Sequence, residues 1–192
     1  MVIDIHTHNA QTHAQTIDTV GIHPWHALDG DLAEVERLAP SADAIGEIGL
    51  DFACDIGCET QIGIFRAQLA IAERYEKPVV LHCVRAFEYI MKVLQDYRLK
   101  AVIFHGFVGS VEQAQRAVAQ GFYLSFGERT FRSPKTIEAL RSTPLSSLFI
   151  ETDESTTPIE DIYDRIAILR GISVAELITA TEDNFRRIFP NF

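Results

Sequence analysis

The sequence predicts an α/β fold of parallel strands with outer helices, and two observations carry that expectation. Short β-rich runs recur along the 192 residues with helix-periodic stretches between them. Most of those runs close on a histidine or a carboxylate, the placement expected where the carboxyl ends of parallel strands share one mouth. The runs number seven: VIDIHTH, DTVGIHP, DAIGEIGLD, KPVVLHCV, KAVIFHGF, GFYLSFGE and LFIETDE.

Taken in order, the first run ends in His6 and His8, which alternate onto one face of a strand and so reach one metal ion together. The second ends near His23. The third holds Glu47 between Gly46 and Ile48, where an apolar strand makes a carboxylate without a partner costly. Ile62, Phe65, Leu69 and Ala72 then line one helical face, and Lys77-Pro78 breaks the helix before the fourth strand. His82 closes that strand and His105 the fifth. Ser110 and Gln113 form a capping box, with Gly121 as the stop. GERTFRSPK follows the sixth strand as a loop carrying Arg129, Arg132 and Lys135, a small positive patch. Asp153 ends the seventh. Thr157-Pro158 reads as an N-cap and first helical position for a helix with Ile162, Ile166 and Leu169 inward and Gly171 at its end. Ser173 to Glu176 opens the last helix.

Seventeen basic against 27 acidic residues give a net charge of −10, which disfavours broad polyanion binding but leaves room for a phosphate at a local positive site. A chain of this length with 47% hydrophobic residues buries one substantial core, so residues 1–192 read as a single domain. No signal peptide and no bilayer-length apolar run stand out, which points to a cytoplasmic protein without a membrane partner. Cys54, Cys58 and Cys83 are sparse and odd in number, as in a reducing compartment, and Cys54-x-x-x-Cys58 lacks the second pair a structural zinc site wants.

Imidazoles and carboxylates without thiolates suit zinc, manganese, iron or nickel, and magnesium where water fills much of the shell. Four histidines with Glu47 and Asp153 exceed what one catalytic ion uses, so two divalent metal ions, with Glu47 as the bridging candidate, are the economical expectation. Hydrolysis is the chemistry such a pair supports.

IDIHTH, GIHPW, AIGEIGLDF, QIGIFRAQLAIA, KPVVLHC, VIFHGFVGSVEQAQRAVAQGFYLSF, LFIETDE and NFRRIF together resemble the TatD-like metal-dependent hydrolases from residue 2 to 189. That resemblance implies a TIM-barrel-like fold and a divalent-metal-dependent hydrolase of the phosphodiesterase or deoxyribonuclease type. It implies that His6 and His8 bind one metal with Asp153, and that Glu47 bridges to a second held by His82 and His105. Asp153 and Glu47 become the catalytic pair, and His23, Arg85, Arg129 and Arg132 the substrate-binding candidates, toward a DNA end or a smaller phosphate-bearing molecule.

Departures from the family pattern carry their own expectations. Only Asn9 to Thr19 separate His8 from the GIHP strand, where the family places a helix, a strand and another helix. The barrel is therefore expected to be incomplete, with seven strands and a gap that a second copy of the chain has room to cover. His82-Cys83-Val84-Arg85-Ala86 moves the arginine one place from its usual position, which turns it to the other face if the strand continues. Glu154 to Thr157 leads almost directly into a helix where the family generally has a proline and a longer loop rich in polar and basic residues, so contacts to an extended nucleic-acid strand are expected to be reduced there. Trp25 and Phe131 offer faces on which a base could stack. Two other readings fit the same ligands: an amidohydrolase-type reaction at a C–N or ester bond, and a metal-binding barrel without catalysis.

Overall fold

Between Asp18 and Phe104 four strands pair in parallel: β1 (Thr19–Val20), β2 (Ala44–Asp51), β3 (Val79–Val84) and β4 (Val102–Phe104). The computed structural model describes residues 1–9 and 13–192. These residues divide into two compact units, Asp18–Phe104 and a second that joins Met1–Ile17 to His105–Phe192.

In the Asp18–Phe104 unit, β2 and β3 are almost wholly buried, as parallel strands covered on both faces must be, which is why they read as continuous apolar runs. The β2 register slips between Ile45 and Ile48 against β3, a bulge that spans Gly46 and Glu47. Gly49 then lets β2 press against β3: its φ is +142°, and a Cβ there would lie 2.0 Å from the His82 carbonyl oxygen. Helix α1 (Leu32–Leu38) starts where Asp31 accepts the Ala33 and Glu34 amides. Helix α2 (Cys58–Arg74) buries Phe65, Leu69 and Ala72 as the periodicity predicts, while Ile62 is only half-buried. Two glutamines share the inner face instead. Gln68 exchanges bonds with the Ile22 backbone, accepting at 2.6 Å and donating at 3.1 Å, and so ties the segment after β1 to the helix. Helix α3 (Phe87–Val93) follows β3.

The other unit carries β5 (Tyr123–Phe126) and β6 (Leu148–Ile150), again parallel, with α4 (Val111–Ala119), α5 (Pro134–Ser142), α6 (Ile159–Arg170) and α7 (Val174–Ile188). The Ser110–Gln113 capping box is formed, Gly121 takes φ +80° after α4, and Ser173 caps α7. Gly171 ends α6 in the left-handed region, but Pro158 is its N-cap rather than its first residue, and Leu169 is only half-buried. Lys135, expected in a loop, sits in the first turn of α5 because Ser133 caps that helix.

Six strands form among the described residues, not the seven expected, and the difference lies at the chain start. Residues 2–8 pair by isolated parallel bridges, Ile3 with Gln15 and Thr7 with Asp153, and by an Ile5 amide bond to the Ile150 carbonyl at 3.1 Å. A ladder is interrupted there because the Asp4 carboxylate takes the Thr152 amide at 2.9 Å and its hydroxyl at 2.7 Å. Part of the short connection falls on residues 10–12, outside the described residues. Past it, Gln15 bonds the backbone of Val2 and Asp4, both at 2.9 Å, along the edge of the first segment where a gap is expected.

Candidate functional site

The Asp18–Phe104 unit builds one cluster from β2, β3 and the turn after β1. His82 near the end of β3 sets Nδ1 2.7 Å from Glu47 Oε1, and His23 Nε2 lies 3.3 Å from the same oxygen. These three offer ligand atoms within 4.8 Å of one another. His23 also caps the turn Pro24–His26, its Nδ1 accepting the Trp25 amide at 3.2 Å. That bond needs a bare Nδ1, so the neutral ring carries its proton on Nε2 and presents a donor to the cluster.

Asp51, four residues beyond Glu47 on β2, completes this arrangement. Its Oδ2 accepts the Trp25 indole N–H at 2.7 Å and lies 3.4 Å from His82 Nε2. Burial pushes the Asp51 carboxyl up, but bonds from Trp25, Ala53 and His82 outweigh it and hold the group below its ordinary value. Arg85 lies beyond the end of β3, exposed and at φ +53°, so strand alternation no longer governs where it points. Cys54 and Cys58 join no group of three metal-capable side chains among the described residues.

The second unit builds its cluster from the first segment, the residue after β4 and the end of β6. His6, His105 and Asp153 bring ligand atoms within 4.8 Å of one another, and the His6 and His105 ring centres are 4.4 Å apart. Asp153 Oδ1 stands 3.9 Å from His6 Nε2 and 3.7 Å from His8 Nε2. Donors about 2.1 Å from a shared tetrahedral ion stand about 3.4 Å from one another. The observed spacings are too long for hydrogen bonds and close to that figure, so the donor set fits a divalent cation. Backbone pairing fixes the pose: Asp153 at φ +55° donates to the His6 carbonyl and accepts from the His8 amide, both at 3.0 Å.

Glu151, two residues before Asp153, is fully buried with Oε1 3.5 Å from His105 Nδ1, and its Oε2 has no hydrogen bond among the described residues. Burial raises its carboxyl, yet the neighbouring His105 and then His6 hold it below the ordinary carboxylate range. Asp4 goes the other way: burial, opposed by the Thr152 bonds, pushes it up to about 6. A cavity of about 230 Å³ opens between β6 and the turn Glu128–Arg132, lined by Glu151, Asp153, Arg129 and Arg132 among others. Arg129 Nη2 lies 3.7 Å from Asp153 Oδ2 and 3.9 Å from Glu154 Oε2. The Phe131 ring is covered by the Arg165 guanidinium at 3.5 Å, so that face is closed to a base, whereas Trp25 is 54% exposed.

His6, His8, His105 and Asp153 are thus gathered in one unit, with Arg129 and Arg132 at its cavity; Glu47, His82 and His23 are gathered in the other. Sequence reasoning missed Asp51, Glu151 and Asp4. Glu151 was recoverable as the other carboxylate of the LFIETDE run, two residues before Asp153.

The family model described as TatD related DNase matches residues 5–190. The metal-dependent hydrolase YabD of Bacillus subtilis is 33% identical over 193 residues, covering 88% of this chain and 76% of that protein. The 3'-5' ssDNA/RNA exonuclease TatD of Erwinia tasmaniensis is 32% identical over 201 residues, covering 89% and 77%. Among solved structures, YJJV, a TatD homolog from Escherichia coli K12, matches with a TM-score of 0.84 at 27% identity, across 91% of this chain and 77% of that one.

Proposed function

Because the chain belongs to the TatD-related DNase family, we propose that this metal-dependent hydrolase cuts phosphodiester bonds, at the end of a DNA strand or in a smaller phosphate-bearing substrate. The observation that carries the reading is that Asp153, which stands with His6 and His105 in one metal-capable cluster, also lines a cavity with two arginines. That pairing suits an anionic phosphoryl group better than a neutral C–N or ester bond, since Arg129 and Arg132 supply forked donors to phosphate oxygens.

In this reading residues 1–192 act as one hydrolase domain holding two divalent ions. His6, His8, His105 and Asp153 hold one, and Glu47 with His82 holds the other. A bound cation supplies Lewis-acid polarisation of the phosphoryl oxygen and lowers the pKa of water to near neutrality. Asp153 orients the attacking water and takes its proton, and Arg129, 3.7 Å away, holds the phosphate against it. His23 donates its Nε2–H to an oxygen bound at its own cluster. No helix among the described residues is long and apolar enough to cross a membrane.

The test is cleavage of bis-(p-nitrophenyl) phosphate and of a single-stranded oligonucleotide with manganese, magnesium or zinc. Activity is expected to vanish on exhaustive chelation and to fall at least about 100-fold in Glu47→Gln while the circular dichroism spectrum holds. Cleavage that survives chelation, or a fully active variant, overturns the proposal.

A further inference from the structure

We propose that Asp51 is a positioning residue for His82: one buried carboxylate oxygen, shared with the Trp25 indole, selects the ring form that turns Nδ1 toward the cation. This rests on the reading that Glu47 and His82 hold a metal ion.

The carboxylate is held from every side. Oδ1 accepts the Ala53 amide at 2.8 Å, and Oδ2 accepts Trp25 Nε1–H at 2.7 Å. Its backbone is clamped by Gln61, which accepts the Asp51 amide at 2.8 Å and donates to the Asp51 carbonyl at 2.9 Å and the Ile56 carbonyl at 2.8 Å. Asp51 is 4% exposed and Gln61 1%, so this anchoring is internal to the unit. Oδ2 then faces His82 Nε2 at 3.4 Å. An ionised carboxylate only accepts hydrogen bonds, so Asp51 offers an acceptor to a proton on Nε2; without a cation Nδ1–H donates to Glu47 Oε1, 2.7 Å away, and a cation that takes Nδ1 leaves the ring proton on Nε2, where Asp51 holds it. Carboxylates that hold the far nitrogen of a ligating histidine raise its basicity and fix its ring.

The same oxygen makes Trp25 a reporter. The chain has one tryptophan, and its exposed ring is pinned by Asp51, edge-on to His23 at 4.8 Å and 6.2 Å from His82. Asparagine at 51 must turn its amide nitrogen toward either Ala53 N–H or Trp25 Nε1–H. One donor loses its acceptor in either pose, and the negative charge that favours Nε2–H on His82 is gone in both.

Zinc binding to the full chain, measured by competition with a chromophoric chelator and by Trp25 emission, tests this. Wild type is expected to bind zinc with a change in Trp25 emission, and Asp51→Asn to weaken the binding event that changes this emission by about 10–100-fold. Nitrogen-15 spectra of the zinc-loaded wild type provide a readout that no variant need survive: His82 Nε2 is expected as N–H and Nδ1 as the metal-bound nitrogen. An unprotonated Nε2, or a folded Asp51→Asn that binds zinc within about threefold of wild type while Glu47→Gln loses it, overturns this inference alone. Zinc binding indifferent to Glu47→Gln as well overturns the metal reading, and the inference falls with it.

Discussion

Replacing Tyr163 by phenylalanine should loosen the segment that carries His6 and His8. That segment has no full ladder, and the buried Tyr163 hydroxyl takes over the unpaired backbone of Ile3: it donates to the Ile3 carbonyl at 2.8 Å and receives the Ile3 amide at 3.3 Å. It shares a third bond with Thr181 Oγ1 at 2.9 Å, and burial pushes the phenol well above its ordinary pKa, so the hydroxyl stays protonated. Ile3 is fully buried, and its parallel bridge with Gln15 uses only the backbone of the flanking Val2 and Asp4. Removing the oxygen therefore leaves two buried backbone groups unpaired, each worth about 1–3 kcal/mol, and a net loss of about 3 kcal/mol is expected. For a chain of this size that corresponds to about 6–12 °C in Tm, read by calorimetry and by urea unfolding. Thr181→Ala spares the Ile3 bonds and should cost about 1 kcal/mol. A Tyr163→Phe protein within 1 kcal/mol of wild type, or no worse than Thr181→Ala, would refute the anchoring argument.

Asn184→Ala should cost about 2–3 kcal/mol in urea unfolding, because the buried Asn184 amide donates to the Leu145 carbonyl at 2.7 Å and the Leu148 carbonyl at 2.9 Å, tying α7 to the start of β6. Arg129→Ala should leave Tm within about 1 °C, since this exposed side chain makes only long ion pairs, yet raise KM for a phosphodiester at least about tenfold. Asp4→Asn should change the pH dependence of stability. The folded carboxyl at about 6 against 3.8 binds its proton more tightly than the unfolded one, so its contribution is lost as pH rises through that window. The interval from 3.8 to about 6, at about 1.4 kcal/mol per pH unit, comes to about 3 kcal/mol, and the variant should gain on wild type by up to that amount between pH 4 and 6.5. Equal pH profiles in urea titrations would contradict this.

The metal-capable side chains were legible in the sequence because residue type and strand-end position coincide: His6, His8, His82, His105 and Asp153 each stand at or just past a strand-like run. The helix signals at Ser110, Gly171 and Ser173 were legible for the same reason, since caps are local chemistry. What was hidden depends on contacts distant in sequence. Asp4 breaks the expected first ladder through Thr152, 148 residues away, and nothing in VIDIHTH announces that. The bulge at Glu47 needs the β3 register to be seen, although Gly46 and Gly49 mark a strand under close approach. Arg85 shows the limit of period-2 reasoning, because its one-place displacement falls beyond the last residue of β3, where the backbone has already turned left-handed.

The central claim, that these histidines and carboxylates hold catalytic cations, is tested most directly by anomalous diffraction from crystals grown with manganese. The account predicts anomalous peaks beside His6, His105 and Asp153 and beside Glu47 and His82, lost in crystals washed with chelator. Manganese absent from both clusters, in protein that still cleaves phosphodiesters, would contradict it.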